Sequence, residues 1–376
     1  MAKINEFNTS HIIKHGEDIF HGLRWAYGIV VCPSCGSVHI KDLGHYHYKC
    51  NSCKNHFTDK TNTIMHHSKL SVGQWMQAMF EIIATNEISG NELALKLGIS
   101  VKSAWYVHSK IKMCMSMDNI MLSGEIAQDE MYIGGLLGNW HYGRKLRELR
   151  THGLLEEDER KYTKGAARKL AEIKRYPVFA MHDSNNVVMY AMPNPIRKEY
   201  IHGLFKKHVA ANGHSVVVSD ESALYNDWEK ITGVPIYTNC HSNNHYITAN
   251  GLSSNKVENA FSWYKRGFTG RITHCKNKYL QLYLNEFCFR FNTRNMSMED
   301  RWKMLVGMCV GKTITNNDIT NYNSLNNFDV NRKWQRHIYT LKDIKEMFEV
   351  NPIIDEMTLG KTTYYRKDFI VPDKPF

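Results

Sequence analysis

Three carboxylates and one lysine stand where their types and spacing suit phosphodiester chemistry: Asp129, Asp220, Glu258 and Lys265. Asp129 ends the alternating run Glu125-Ile126-Ala127-Gln128-Asp129. Tyr132 and Gly134-Gly135 follow it, so a strand is expected to lead into a glycine turn. Asp220 closes the run His214 to Asp220, whose Val216-Val217-Val218 stretch reads as a buried central strand. Both aspartates are therefore expected at strand ends. Glu258 lies in Ser254 to Lys265, where Val257, Phe261 and Tyr264 form an apolar helical stripe. Lys265 follows Glu258 by two helical turns and projects from nearly the same face.

Two divalent ions about 3.5–4 Å apart need shared carboxylates to hold them, and such a pair stabilises both the attacking and the leaving oxygen of an in-line displacement. Asp129, Asp220 and Glu258 supply oxygen ligands, a set that favours two Mg²⁺ (or Mn²⁺) ions over zinc. Lys265 is then a phosphate contact. Each acid alone is equally an ordinary turn or helix-surface residue. The order and surroundings of all three together carry the reading.

A second metal centre is written in cysteine. Cys32-Pro33-Ser34-Cys35 and Cys50-Asn51-Ser52-Cys53 are two C-x-x-C knuckles separated by 14 residues. Such knuckles converge their thiolates on one tetrahedral Zn²⁺. The intervening His39 to Lys49 alternates like a short hairpin. Four sulfurs leave no position for a substrate, so the zinc is structural and stabilises a segment too small to bury a core of its own. The ribbon surface with Lys41, His45, His47, Lys49 and Lys54 stays available to DNA. Cys114, Cys240, Cys275, Cys288 and Cys309 are scattered and read as packing residues.

Between these two regions lie helical signals. Ser71 caps a helix from Val72 to Thr85, with Trp75, Met79, Ile82 and Ile83 on one stripe. From Ser89 to Lys110, Ala94 is small where two helices would cross, Gly98 suits a turn and Ser100 caps a second helix. This is helix-turn-helix spacing, in which Lys102, Ser103, Tyr106 and Lys110 would face a major groove. The same spacing also serves a plain helical hairpin.

From Asn139 to Arg175 there are eleven Lys or Arg against six Asp or Glu. Gly143, Gly153 and Gly165 interrupt the stretch, which reads as a mobile basic insertion able to track phosphates, with Arg144 and Lys145 as candidate contacts. Tyr176 to Met181 and Val187 to Met192 flank Asp183 to Asn186 as a hairpin. Helices are expected from Arg197 to Ala210 and from Lys278 to Asn292. Past Arg294, Trp302 to Val310 and Leu341 to Val350 look helical around an Asn-rich linker from Asn316 to Asn327.

Asp129-Glu-Met-Tyr-Ile-Gly-Gly, Ser219-Asp220 and Asn255-x-Val-Glu258-Asn-x-Phe-Ser-x-x-Lys265-Arg266-Gly, followed by Tyr279 to Arg294, resemble bacterial insertion-sequence transposases. The branch is the ISXO-type group, with an N-terminal zinc ribbon and a DDE triad trailed by lysine. The resemblance spans about residues 30 to 295. It implies an RNase H-like core, Mg²⁺-dependent cleavage at transposon ends and strand transfer into target DNA. The third ligand of this branch can be Glu, Asn or His, so Asn255 stands beside Glu258 as a lesser candidate. Arg266, next to the trailing lysine, is a further candidate DNA contact.

The expected fold class is α/β, an RNase H-like mixed-sheet core preceded by a four-cysteine zinc ribbon and a helix-turn-helix-like region. The expected boundaries are an extension at 1–28, the ribbon at 29–60, the DNA-binding helices at 68–117, the catalytic domain at 122–295 with its insertion at 139–175, and a helical tail at 296–376. Charge agrees, since 48 basic less 37 acidic residues gives +11, which suits a polyanionic partner. No stretch approaches about 18 uncharged apolar residues and no signal peptide is visible, so a bacterial cytoplasmic protein without membrane association is expected. The expected partners are double-stranded DNA, as terminal inverted repeats and target, and a second copy of the chain in a homodimer or higher oligomer. The alternatives are a metal-dependent nuclease without strand transfer and a DNA-binding protein with an inert core.

Overall fold

The computed structural model describes residues 9–85, 88–134, 140–210, 214–220, 229, 233–239, 254–271, 277–322, 356–359 and 362–365. The chain divides into two compact units. One comprises Met1–Cys114, Met296–Thr320 and Asp329–Phe376, and the other Met115–Asn295 with Asn321–Phe328.

The first unit begins with α1 (Thr9–Arg24), followed by a small antiparallel sheet of β1 (Ile40–Asp42), β2 (His47–Cys50) and β3 (His56–Thr58). Its core is Trp25, Cys32, Tyr48, Cys50 and Phe57, too few apolar residues to hold a fold without a cross-link. Next come α2 (Val72–Ala84), α3 (Gly90–Leu97) and α4 (Val101–Cys114). Ser71 and Gln74 close a capping box on α2, and the expected stripe of Trp75, Met79, Ile82 and Ile83 is buried. Ser89 caps α3, and Gly98 ends it with φ 64°, a left-handed turn that suits glycine. Ser100 accepts a hydrogen bond from the Ser103 N–H at 3.2 Å at the start of α4.

The second unit starts with β4 (Glu125–Gly134) and continues through α5 (Tyr142–Thr151), α6 (Lys164–Ile173), β5 (Arg175–His182), β6 (Val187–Ala191), α7 (Lys198–His208), β7 (Val216–Asp220), β8 (Ile236–Asn239), α8 (Asn255–Arg271) and α9 (Leu280–Asn292). Its five-stranded sheet runs β6-β5-β4-β7-β8. β5 is antiparallel to β4 and β6, whereas β7 is parallel to β4 and β8. The architecture is thus mixed α/β with a mixed sheet. Val217 and Val218 are fully buried, as a central strand requires. Val257, Phe261 and Tyr264 of α8 join Ile126, Phe179 and Val217 in one core.

Three expectations need correction. Asp129 does not end its strand, because β4 runs on to Gly134, paired with β5 throughout. The stretch expected to be mobile and patternless between 139 and 175 contains α5 and α6, anchored by Leu149 and Leu170, both fully buried. One leucine per helix is enough to seat it, and so sparse a signal is invisible to periodicity. The expected Asn-rich linker begins instead as a short helix. After α10 (Met298–Met308), α11 spans Asn316–Thr320, with Asp318 accepting from the N–H and hydroxyl of Thr315, both at 2.8 Å.

α10 belongs to the first unit, where Trp302 is buried and its Nε1 donates to Met76 O at 3.1 Å. Strands β9 (Glu356–Leu359) and β10 (Thr362–Tyr365) pair antiparallel. The expected helix from Leu341 to Val350, and Cys240 and Cys275, lie outside the described residues. Cys114, Cys288 and Cys309 are buried, in keeping with packing roles.

Candidate active site and metal centre

Asp129, Glu258 and Lys265 line one cleft of about 730 Å³. β4 delivers the aspartate and α8 the other two, seated by the burial of Val257, Phe261 and Tyr264 one helical face away. Asp129 Oδ1 accepts from the Glu130 N–H at 2.7 Å, and Glu258 Oε1 accepts from the Ser254 hydroxyl at 3.4 Å. The neighbouring Lys256 is engaged by Glu125 at 3.1 Å. Glu258 and Lys265 are exposed. Asp220 ends β7 as expected, and its side chain lies outside the described part. Asn255 opens α8, exposed and not among the residues lining the cleft.

Sequence reasoning missed two cleft residues. Arg175 arrives by register, since it pairs with Gly134 at the far end of β4, and Tyr132 is half-exposed beside it. Gly134 has φ +83°, and a Cβ there would meet Lys174 O at 2.6 Å, so no other residue fits that close approach. Arg175 was visible in sequence only as one more charge in a basic stretch. Nothing local says that β5 will carry it back to Asp129.

The four cysteines converge. Cys32 and Cys53 sulfurs are 3.6 Å apart, as are those of Cys35 and Cys50, and all four lie within 4.8 Å of one another. Zn–S bonds of about 2.3 Å put tetrahedral sulfurs about 3.8 Å apart, so the cluster fits zinc. Burial would raise the Cys50 thiol, but the N–H groups of Cys53 and Ser52 hold it down at about 6, while burial pushes Cys35 up to about 12. Among the described residues this is the group of His, Cys, Asp and Glu close enough to hold a metal ion.

On α4, Lys102 and Ser103 are exposed and Tyr106 is half-buried, its hydroxyl donating to Ile314 O at 3.4 Å. Lys110 departs from expectation. It is 4% exposed, its Nζ donates to Ile64 O at 2.8 Å, and burial pushes it down to about 8. A helix shows one face to solvent, and Lys110 falls on the other, so it is withdrawn from any groove. In the insertion, Arg144 is exposed and stacks over the Trp140 ring at 4.0 Å, while Lys145 is half-buried. Arg266 is exposed on α8, its Nε donating to Ser262 O at 3.4 Å.

No described helix is long and apolar enough to cross a membrane. Residues 121–292 match the family model of the ISXO2-like transposase domain. The chain is also similar to an uncharacterized protein in transposable element ISH50 of Halobacterium salinarum, 25% identical over 176 residues. That match takes in 46% of this chain and 55% of the relative. No solved structure matches.

Proposed function

We propose, from the premise that residues 121–292 belong to the ISXO2-like transposase domain family, that the chain is an insertion-sequence transposase that binds terminal inverted repeats and carries out metal-dependent DNA cleavage and strand transfer. The observation that carries this reading is the meeting of Asp129, Glu258 and Lys265 in one cleft. The strand order β6-β5-β4-β7-β8, with its antiparallel half and parallel half, supports an RNase H-like core.

Asp129, Asp220 and Glu258 are the residues that would hold Mg²⁺ or Mn²⁺. Their oxygen donors fit a hard cation, and two of them face an open cleft that a phosphodiester can enter. When bound, a pair of such ions supplies Lewis-acid stabilisation of the attacking and leaving oxygens. Lys265 and Arg175 bind and orient the phosphate. Glu258, which lines the cleft, is preferred over Asn255, which does not.

The α3–turn–α4 pair supports a helix-turn-helix in which Lys102 and Ser103 meet DNA, and Arg144, Lys145 and Arg266 add backbone contacts. The four cysteines hold structural zinc. An element has two ends and this chain one triad, so joining both ends to a target calls for at least a dimer. The test is to incubate the full chain with Mg²⁺ and end-labelled DNA carrying the element's terminal repeat. Nicks together with joined products support the transposase, nicks alone a nuclease, and binding without either an inert core.

A further inference from the structure

Past Asp129, strand β4 has a partner on one side only among the described residues. β7 pairs with it from Glu125 to Ala127, whereas β5 runs beside it as far as Gly134. Successive side chains point to opposite faces of a sheet, so a strand paired on both edges lends a cleft only every second residue. At this open edge both faces contribute, and Glu130 and Tyr132 line the cleft along with Asp129 and Met131.

Tyr132 is the lining residue that the metal and phosphate chemistry leaves without a task. It is 51% exposed, whereas Met131, Phe261 and Tyr264 of the same cleft are buried. Ions and a phosphate call for oxygen donors and cations, which Asp129, Glu258, Lys265 and Arg175 supply. A flat aromatic surface open to the cleft suits instead the face of a nucleobase. Register holds the ring close to a phosphate contact: Tyr132 pairs with Pro177 and Gly134 with Arg175, so Tyr132 and Arg175 are diagonal neighbours on one face, about 7–8 Å apart. The β4–β5 ladder fixes both before any substrate arrives.

Size decides the form of the substrate. The cleft of about 730 Å³ belongs to the class that encloses a small molecule, about 300–1,000 Å³, so it admits a nucleotide and not a base-paired duplex. A base that enters has to leave its stack and its pairing partner. We propose that the cleft takes DNA as an unpaired nucleotide, with a base beside the scissile phosphate stacked on Tyr132 while Arg175 and Lys265 hold the phosphate. The proposal rests on the transposase reading and names the form in which that DNA reaches the carboxylates.

The test uses the full chain with Mg²⁺ and single-turnover cleavage of duplexes carrying the terminal repeat. The nucleotide on each side of the scissile phosphate is altered in turn, by a mismatch that leaves its base unpaired or by an abasic residue that removes the base. Tyr132→Ala should slow cleavage of the mismatched end about tenfold or more at one of the two positions and leave the abasic end of that position unaffected, since ring and base are partners in one contact. Tyr132→Phe should restore the rate, because the ring and not the hydroxyl makes the stack. Equal slowing on mismatched and abasic ends at both positions, or a Tyr132→Ala chain as fast as wild type on every end, would overturn the proposal. The wild-type chain carries the same contrast should the alanine variant not fold: it should cut the mismatched end faster than the fully paired one, whose base must first be pulled from its stack, and faster than the abasic one. A mismatched end cut no faster than either overturns the proposal as well. Wild-type protein that cuts no end duplex defeats the transposase reading itself, whereas cutting without these contrasts defeats the unpaired nucleotide alone.

Discussion

Asp129 and Asp220 stand level on neighbouring parallel strands, because Ala127 pairs in register with Val218 and each aspartate lies two residues further on. α8 then brings Glu258 to the same cleft as Asp129. Residues distant in sequence meet through strand register and one helix-on-sheet contact.

From this arrangement, Asp129→Asn, Asp220→Asn and Glu258→Gln are each expected to lower DNA cleavage by about a thousandfold or more. Ion-mediated charge stabilisation contributes several kcal/mol, and about 1.4 kcal/mol is a factor of ten. DNA affinity should change little. Asn255→Ala should keep activity, and single-turnover cleavage assays would expose the reverse assignment if Asn255→Ala were dead and Glu258→Gln active.

Cys32→Ser or Cys50→Ser should release zinc and unfold the ribbon locally, since metal-binding free energy is folding free energy in small sites, on the order of 10 kcal/mol. Metal analysis of the purified wild-type chain should find zinc. Protein lacking it with an intact ribbon would end this expectation.

Lys102 and Lys110 lie on the same helix and should fail differently. Lys102→Ala should weaken DNA binding and reduce its salt slope by about 1. Lys110→Ala should leave that slope alone and cost about 1–3 kcal/mol of stability, because Ile64 O loses its buried donor. Matched binding and denaturation series separate the two.

His208 is fully buried between Tyr190, whose hydroxyl lies 2.7 Å from Nε2, and Ile120 O, 2.8 Å from Nδ1. Burial lowers it to about 4. The unfolded chain binds the proton first, so stability contributed by neutral His208 is present above its ordinary value of about 6.5 and is lost as pH falls from there through about 4. The loss should amount to about 3 kcal/mol at most. His208→Gln should flatten this part of the pH–stability curve, and an unaltered curve would place the titration elsewhere.

Several features are legible in the chain itself because their causes are local. Two C-x-x-C knuckles need only their own spacing to converge, and the capping serines 71 and 100 act within one turn of the helices they start. The valine run before Asp220 and the stripe Val257-Phe261-Tyr264 announce a buried strand and a one-faced helix, and the structure buries both. Tertiary structure decided what depends on distant partners. Asp129 became a mid-strand residue because β5 pairs with β4 from Ala127 to Gly134, and the same pairing carried Arg175 into the cleft. Lys110 turned inward because Ile64 O, 46 residues away, offered it an acceptor. Leu149 and Leu170 ordered a stretch whose composition alone reads as a solvated insertion, since a single buried side chain per helix is a packing fact with no periodic signature.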